Sequence, residues 1–540
     1  MQLKPFINMT VHWADKFADK LLERGRKHVI ETGTSISGIP HVGNASDVIR
    51  GDAIRKVLEE KGAKVKFIWI ADDSDPFRKI PRGMESLREY LGYPVRDIPD
   101  PYGCHENFVD HFVEPFLSDL KEFGVEPRAY SGTELYRKGI LYDEIKMAIK
   151  KRKEIREILN KFRKLPLNEN YIPWIPICSE CGKISTTRVT GWDGEDTVFY
   201  KCAGVDPASS IIKSSCAASE DIRKALVFGC RNEGESKISE GRGKLPWRVE
   251  WAARWKHFGV TCEPLGKEHA SAGGSFWTAK EICKDVFRFE PPIPVMYEFF
   301  TLNGEKISSS KGNVITLGDW LQICEPEVLK FFMYKRLMKQ RDINLSAIPN
   351  LVDEYDKAER VYFNLEEGSS KARRRYELSQ IYEPKPLHVP FTLCTTLAQI
   401  VPDLNLEKIV KKLSEMGYEN FDNERLRKRL RLAKNWVETY GPEYLRFELV
   451  SDLKAMEIYE KLEERQKEAL ERLVKELDKK WSPKELHKRI YEVSRGMDLK
   501  PEKLFEAIYL VLIGKKKGPR VASFILSLDK EFVRGRFKVE

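Results

Sequence analysis

Two short segments carry side chains suited to holding phosphate. The first is Pro40-His41-Val42-Gly43-Asn44. It follows an apolar run, HVIETGTSI (28–36), and a Gly/Pro-rich loop, SGIPHVG (37–43). It precedes a stretch with apolar residues at helical spacing. A helix start presents unpaired N–H groups and the positive end of a dipole. His41 can donate to a phosphate oxygen, Gly43 lets a flat base or ribose approach the backbone, and Asn44 is a good N-cap. The second segment is Gly304 to Asn313, with Lys306, Ser308, Ser309, Ser310 and Lys311 between glycines. Such a donor-rich loop can close on a polyphosphate and neutralise developing charge. Read alone, the first is more often a capped tight turn and the second a solvated loop.

A third pattern belongs to metals. Five of the 10 cysteines fall between 178 and 230. Cys178-Ser-Glu-Cys181, followed by Gly182, has the form of a thiolate knuckle, and a tetrahedral Zn2+ site needs two further ligands. If 203–229 is an extra loop, Cys202 and Cys230 rejoin as a second knuckle, so Cys178, Cys181, Cys202 and Cys230 are the chosen set, with Cys216 in reserve. Asp97, Asp100, Cys104, His105, Glu106, Asp110 and His111 form a second concentration of ligand types. His105, His111 and Asp97 are its leading candidates, and a polar loop with capping aspartates is the alternative.

The elements that must position these groups can be read from periodicity. HVIETGTSI reads as a buried strand, 44–62 as a helix ending at Gly62, and KVKFIWIAD as a second strand. Strand, loop, helix, strand is a βαβ unit, whose parallel sheet binds ligands beyond its strand C-termini. The stretches 32–44 and Asp72, Asp73 and Asp75 lie at those ends. Residues 110–165 are helix-like, 172–243 show short strands, turns and cysteines, and the chain after about 318 reads as almost wholly helical. The predicted fold class is α/β: a Rossmann-type parallel-sheet catalytic domain over 1–300 with a zinc-binding insertion at 172–243, a loop-bearing connecting region over 301–350, and an α-helical domain over 351–540.

Composition sets the limits. With 540 residues, 41% hydrophobic and 33% charged, the chain is long enough for several cores. No apolar run approaches the ~20 residues that span a bilayer, and the first twenty residues lack a signal-type stretch. The expectation is a cytoplasmic protein without a membrane partner. The net charge of +10 suits a polyanion partner and equally suits a charge-rich heat-stable surface.

Together, in this order and some 260 residues apart, the two phosphate segments resemble the HIGH and KMSKS signatures of class I aminoacyl-tRNA synthetases. His41 to Asn44 matches HIGH with Asn in place of the second His. Lys306 to Ser310 matches KMSKS with Ser309 where the second Lys usually stands, which leaves open whether Lys306, Lys311 or both carry that role. The HVGN and KISSSKGN forms, together with GKLPWRVEWAARWKHFGVTCEPLGKEHASAGGS (243–275), GCHENFVDHF (103–112) and AIYLVLIGKKKGPR (507–520), resemble the class I lysyl-tRNA synthetases.

The resemblance implies activation of lysine by ATP, with Mg2+, and transfer to tRNA(Lys). It places ATP against Pro40, His41, Gly43, Asn44, Lys306, Ser308, Ser309, Ser310 and Lys311. His41, Asn44, Lys306 and Lys311 are the catalytic candidates. Gly33 and Ser35 would hold the α-amino end of lysine, and Trp247, His269 and Tyr297 would frame its side chain. The family also carries a His-rich segment near 105–111. The helical C-terminal part would bind the anticodon, with Arg373 to Arg375, Arg425 to Arg431 and Lys515 to Lys517 as possible phosphate contacts. The rival readings are a glutamyl-type synthetase, a catalytically inactive RNA-binding paralogue and a zinc-ribbon nucleic-acid protein.

Overall fold

A computed structural model describes residues 12–36, 38–81, 83–203, 227–271, 273–307 and 313–538. The chain divides into two compact units, one of residues 1–318 and 333–343, the other of residues 319–332 and 344–540.

The first unit is built on a five-stranded sheet. In spatial order its strands are Ile293–Tyr297, Cys262–Gly266, Lys27–Ser35, Lys64–Asp72 and Arg128–Ser131, all parallel. Numbered along the chain, that order is 5-4-1-2-3. The succession reverses between Lys27–Ser35 and Cys262–Gly266, and this switch point opens a crevice at the strand C-termini. KVKFIWIAD forms its strand over the expected residues, because a run buried on both faces is what a central parallel strand requires. The helix predicted over 44–62 runs instead from Ser46 to Glu60. The short strand Arg128–Ser131 interrupts the helical texture of 110–165 and adds a fifth member to the sheet.

The cysteine-rich stretch holds a three-stranded antiparallel sheet, Thr187–Trp192, Thr197–Cys202 and Glu233–Lys237. Beyond the main sheet, Phe300–Leu302 pairs antiparallel with Glu305–Lys306 and parallel with Arg341–Ile343. That last strand is a short exception in a chain that is otherwise helical after 318, as expected, among the described elements. Three residues of extended backbone are too few to leave a period in the sequence.

The second unit is helical, and one of its cores gathers Leu470, Ile490, Leu504, Ile508, Leu512 and Phe524. In its other half Arg429 is fully buried. Its Nε donates to Glu325 at 2.6 Å, and its two terminal nitrogens reach the two oxygens of Asp356 at 2.8 and 2.9 Å. The carbonyl of Val389 accepts a further bond at 2.9 Å. All three nitrogens of the guanidinium are therefore bonded in a place where an unpaired charge would be costly. Among the described residues no helix is long and apolar enough to cross a membrane.

Candidate active site and metal centres

The turn after the first strand is locked by its own side chains. The Gly43 N–H donates to Nδ1 of His41 at 3.0 Å, and the His41 N–H donates to Oδ1 of Asn44 at 3.0 Å. An added Cβ at Gly43 would lie 2.8 Å from that same ring nitrogen, so glycine is required by the close approach. Burial pushes the His41 imidazole down to about 4. With Nδ1 accepting and the ring neutral, the proton sits on Nε2, which is the group left to donate. Asn44 is not the N-cap expected from sequence. The helix begins at Ser46 with Ala45 at its cap, and the Asn44 carboxamide folds back on His41 instead.

Asp47, in the first helical turn, is a residue that sequence reasoning missed. Its Oδ1 accepts from Val48 N at 2.8 Å and its Oδ2 from Gly33 N at 3.4 Å, which ties the helix start to the strand end. Burial pushes its carboxyl up to about 7. An acidic residue in a first turn was the available signal. Three residues on, buried Arg50 lies 4.3 Å from the ring centre of Tyr297 and 5.0 Å from that of Phe300. Gly33 has a packing reason for its identity, since a Cβ there would meet the carbonyl oxygen of Ile70 at 2.9 Å. Ser35 is exposed at the strand end, in register with Asp72.

Across the switch point, Trp247 stacks on Trp251 with ring centres 4.9 Å apart, and His269 stands edge-on to Trp251 at 5.7 Å. His269 Nδ1 lies 3.1 Å from Ser275 Oγ. Burial lowers the pKa of His269 and raises that of Tyr297. Beneath these rings, Trp251 and Trp255 donate their indole N–H groups to the two oxygens of buried Glu263, each at 3.0 Å. Beside them runs a chain of charges: Asp75 to Lys244 at 2.5 Å, Lys244 to Glu250 at 3.0 Å, Glu250 to Arg254, and Arg254 to Asp72 at 2.7 Å. Glu31 completes the group, its carboxyl pushed up to about 8 by burial. Asp73 does different work, accepting from Ser131 Oγ at 2.5 Å and Thr133 N at 2.6 Å.

The second phosphate segment is described at its edges. Lys306 is exposed, with Nζ 5.8 Å from the ring centre of Phe299. Ser308, Ser309, Ser310 and Lys311 lie outside the described residues. Beyond them the Val42 N–H donates to the carbonyl of Ile315 at 2.9 Å. That bond holds the first segment against the strand of chain that leaves the second.

A family model described as "tRNA synthetases class I (K)" matches residues 11–382. The chain belongs to the class I tRNA synthetases (K). A second model, "Anticodon binding domain", matches 405–539 of the synthetase. Proteins named "Lysine--tRNA ligase" from Methanosphaera stadtmanae, Methanocaldococcus jannaschii and Pyrococcus horikoshii are 37%, 38% and 37% identical to it, each over 98% of this chain and 100% of the relative.

The synthetase also brings two sets of metal-ligand side chains together. The sulfurs of Cys178, Cys181, Cys202 and Cys230 all lie within 4.8 Å of one another, although 202 and 230 are far apart in sequence. Cys178 and Cys230 are 3.6 Å apart, and Cys181 and Cys202 are 3.7 Å apart. A tetrahedron with Zn–S of about 2.3 Å has edges of about 3.8 Å, so the donor set fits Zn2+. Cys216 lies outside the described residues.

The second set is Asp100, Cys104, His105 and His111. Cys104 Sγ stands 3.1 Å from Nδ1 of His105 and 3.2 Å from Nδ1 of His111. Asp100 Oδ2 accepts the N–H groups of Cys104 and His105, each at 2.8 Å, which wraps the loop around its carboxylate. Asp97 is not part of this group: its carboxylate faces Arg137 at 2.5 Å. Asp110 likewise pairs with Arg96. Counting ligand types in a short window could not tell which aspartates point inward.

The basic runs of the helical unit separate into interior and surface. Arg429 is buried as described, and Arg425 donates to Glu359 at 2.5 Å. Arg375 lies 3.7 Å over the ring of Phe331 and pairs with Glu354 at 2.9 Å. Lys515 donates to the carbonyls of Glu443 and Arg446. These residues hold the unit together, so the runs are not continuous phosphate-facing strips.

Proposed function

We propose that this chain is a lysine--tRNA ligase. It joins L-lysine to ATP and then passes the lysyl group to tRNA(Lys). In the first step a carboxylate oxygen of lysine attacks the α-phosphorus. The bond to the β-phosphate oxygen breaks, and pyrophosphate leaves. In the second step a terminal ribose hydroxyl attacks the lysyl carbonyl, and AMP leaves. The first step needs placement and charge stabilisation, with no covalent enzyme intermediate.

The observation that carries this reading is the bond from Val42 to Ile315, which brings the two phosphate segments together beside the switch point. In the proposal, Nε2–H of His41 and the Asn44 amide donate to ATP phosphates, and Pro40 and Gly43 leave room for the nucleotide. Lys306 and Lys311, with Ser308, Ser309 and Ser310, close over the triphosphate. Mg2+ supplies counter-charge to the phosphates when bound. Gly33 and Ser35 receive the α-amino end of lysine, while Trp247, His269 and Tyr297 flank its stem. Cys178, Cys181, Cys202 and Cys230 hold a structural Zn2+, and Asp100, Cys104, His105 and His111 hold a second.

The test is pyrophosphate exchange with each of the twenty amino acids, followed by charging of tRNA. Exchange with lysine alone is expected, and exchange with glutamate instead would overturn the assignment. Replacing Lys306 and Lys311 together by alanine is expected to lower exchange at least 100-fold, the scale of losing a transition-state charge partner. Metal analysis should return two zinc ions per chain, and one after Cys202→Ser.

A further inference from the structure

The strand Lys27–Ser35 alternates its side chains between two faces. Thr32 and Thr34 belong to a face that is already filled. A Cβ at Gly51 of the helix Ser46–Glu60 would meet Thr32 Cγ2 at 3.3 Å, and Thr34 Oγ1 accepts the indole N–H of Trp69 at 3.2 Å. Glu31, Gly33 and Ser35 share the other face. Exposure falls along it from the strand end inward: Ser35 is exposed, Gly33 half-buried and Glu31 buried. Gly33 puts no side chain into this path. It stands about 7 Å from Glu31 along the strand, and Ser35 stands about twice as far. The face therefore has an open end at Ser35 and a closed end at Glu31.

Oε2 of Glu31 is buried and makes no hydrogen bond. The cation that acts on it is Arg254 of the helix Trp247–Phe258, and Arg254 spends its terminal nitrogens on Asp72 and Glu250. Lys244 is likewise spent, on Asp75 and Glu250. Glu263, one strand over, accepts from two indoles. The acids of this group outnumber its bases, and the carboxyl left without a donor is the one at the closed end of the path. Arg254 lies 5.6 Å from the ring centre of Trp247, so the group adjoins a ring proposed to flank the lysine stem.

We infer that Glu31 receives the side-chain ammonium of the lysine substrate and is the residue that selects a cationic side chain. The inference rests on the proposed function and deepens it by naming the group that reads the substrate's charge. An extended lysine with its α-amino group at Gly33 and Ser35 runs inward along this face. Its ammonium arrives where Oε2 of Glu31 lacks a donor, and it supplies positive charge to a group short of it. A glutamate side chain on the same path would bring one more carboxylate to Glu31, Asp72, Glu250 and Glu263. Burial holds the empty Glu31 carboxyl up at about 8. An ammonium beside it favours the charged form, so lysine binding releases a proton.

The test uses the full-length protein and calorimetric binding of lysine. Glu31→Gln is expected to raise Kd for lysine about 30-fold, the scale of a lost hydrogen bond between charged groups. In pyrophosphate exchange KM for lysine should rise alike, with KM for ATP unchanged. The wild type should bind poorly the lysine analogue that carries a hydroxyl in place of its ammonium, and Glu31→Gln should bind the two almost equally. Lysine Kd of the wild type should fall as pH rises from about 6 to about 8, and the variant should lose that slope. Urea unfolding separates lost recognition from lost folding, since a neutral amide at this acid-rich place should leave the variant at least as stable at about pH 8. The inference falls if folded Glu31→Gln binds lysine as the wild type does, or if it loses lysine and the hydroxyl analogue by the same factor. It falls too, whatever the fate of the variant, if the wild type binds both ligands equally. Absence of lysine-dependent exchange in the wild type would instead defeat the proposed function.

Discussion

Among the fully buried arginines of the described residues, Arg429 and Arg254 sit in opposite kinds of company. Around Arg429 the polar groups are closed: all three guanidinium nitrogens are bonded, and two carboxylates and a carbonyl are satisfied in return. Around Arg254 they are open. Among the described residues, Nε of Arg254 and Oε2 of Glu31 are buried without a hydrogen bond. The acids there outnumber the bases, with Glu31, Asp72, Asp75, Glu250 and Glu263 against Lys244 and Arg254. Unsatisfied buried groups are costly and concentrate where a fold has a task besides standing up. The open network lies under the switch point and its tryptophans, and the closed one lies in a helical core. The first is an under-satisfied floor beneath the crevice, the second a fastening.

The strongest way to break this comparison is Arg429→Met. Leaving Glu325 and Asp356 without their partner should cost about 3–5 kcal/mol in denaturant unfolding. The protein that remains folded should exchange pyrophosphate at the wild-type rate. A rate loss without a stability loss would erase the distinction.

A smaller effect is expected from Trp255→Phe. It keeps the ring and removes the N–H that Glu263 Oε2 accepts, so about 1–3 kcal/mol should be lost. Glu263→Gln by itself should cost a similar amount, since its amide NH2 would face one of the two indole N–H groups.

The sharpest comparison is in pH. Burial raises the Glu31 carboxyl to about 8. The native state then holds a proton that the unfolded chain releases, so this group's contribution is present below about pH 4.5 and is lost as pH rises towards 8. Glu31→Gln should therefore be close to neutral at low pH and gain on the wild type as pH rises. Glu325 behaves oppositely. Burial pushes it up, but the guanidinium of Arg429 prevails and holds it below its ordinary value. Its contribution is present above about pH 4.5 and is lost as pH falls. In urea unfolding the Glu31→Gln difference should change between about pH 4.5 and 8 and the Glu325→Gln difference only below about pH 4.5, with opposite sign, and coincident curves would sink the distinction.

The smallest expected signal is at His41. An imidazole titrating near 4 should leave its NMR resonances flat from pH 8 to 5. A midpoint near 6.5 would remove the fixed Nε2–H donor.

Both phosphate segments were legible in the chain because their residue types are rare in combination and sit at element boundaries. The βαβ unit was legible because KVKFIWIAD is apolar throughout. The four cysteines were readable as a set because a thiolate site constrains ligand number. Other features left no such mark. Asp47, Glu31 and Glu263 look like ordinary helix and strand acids, and Asp97 looked as good a ligand as Asp100. Their roles depend on which neighbour lies opposite: Gly33 for Asp47, two indoles for Glu263, and Arg137 for Asp97.

By itself, then, the sequence determined the family, the parallel-sheet class and the identity of the groups that could meet phosphate or metal. Those follow from side-chain chemistry and short-range period. Only the tertiary structure decided the strand order that creates the crevice, which charges were closed off and which left open, and which basic residues faced outward. These depend on contacts between residues far apart along the chain, where burial converts the same side chain from a solvated charge into a fastening or a floor.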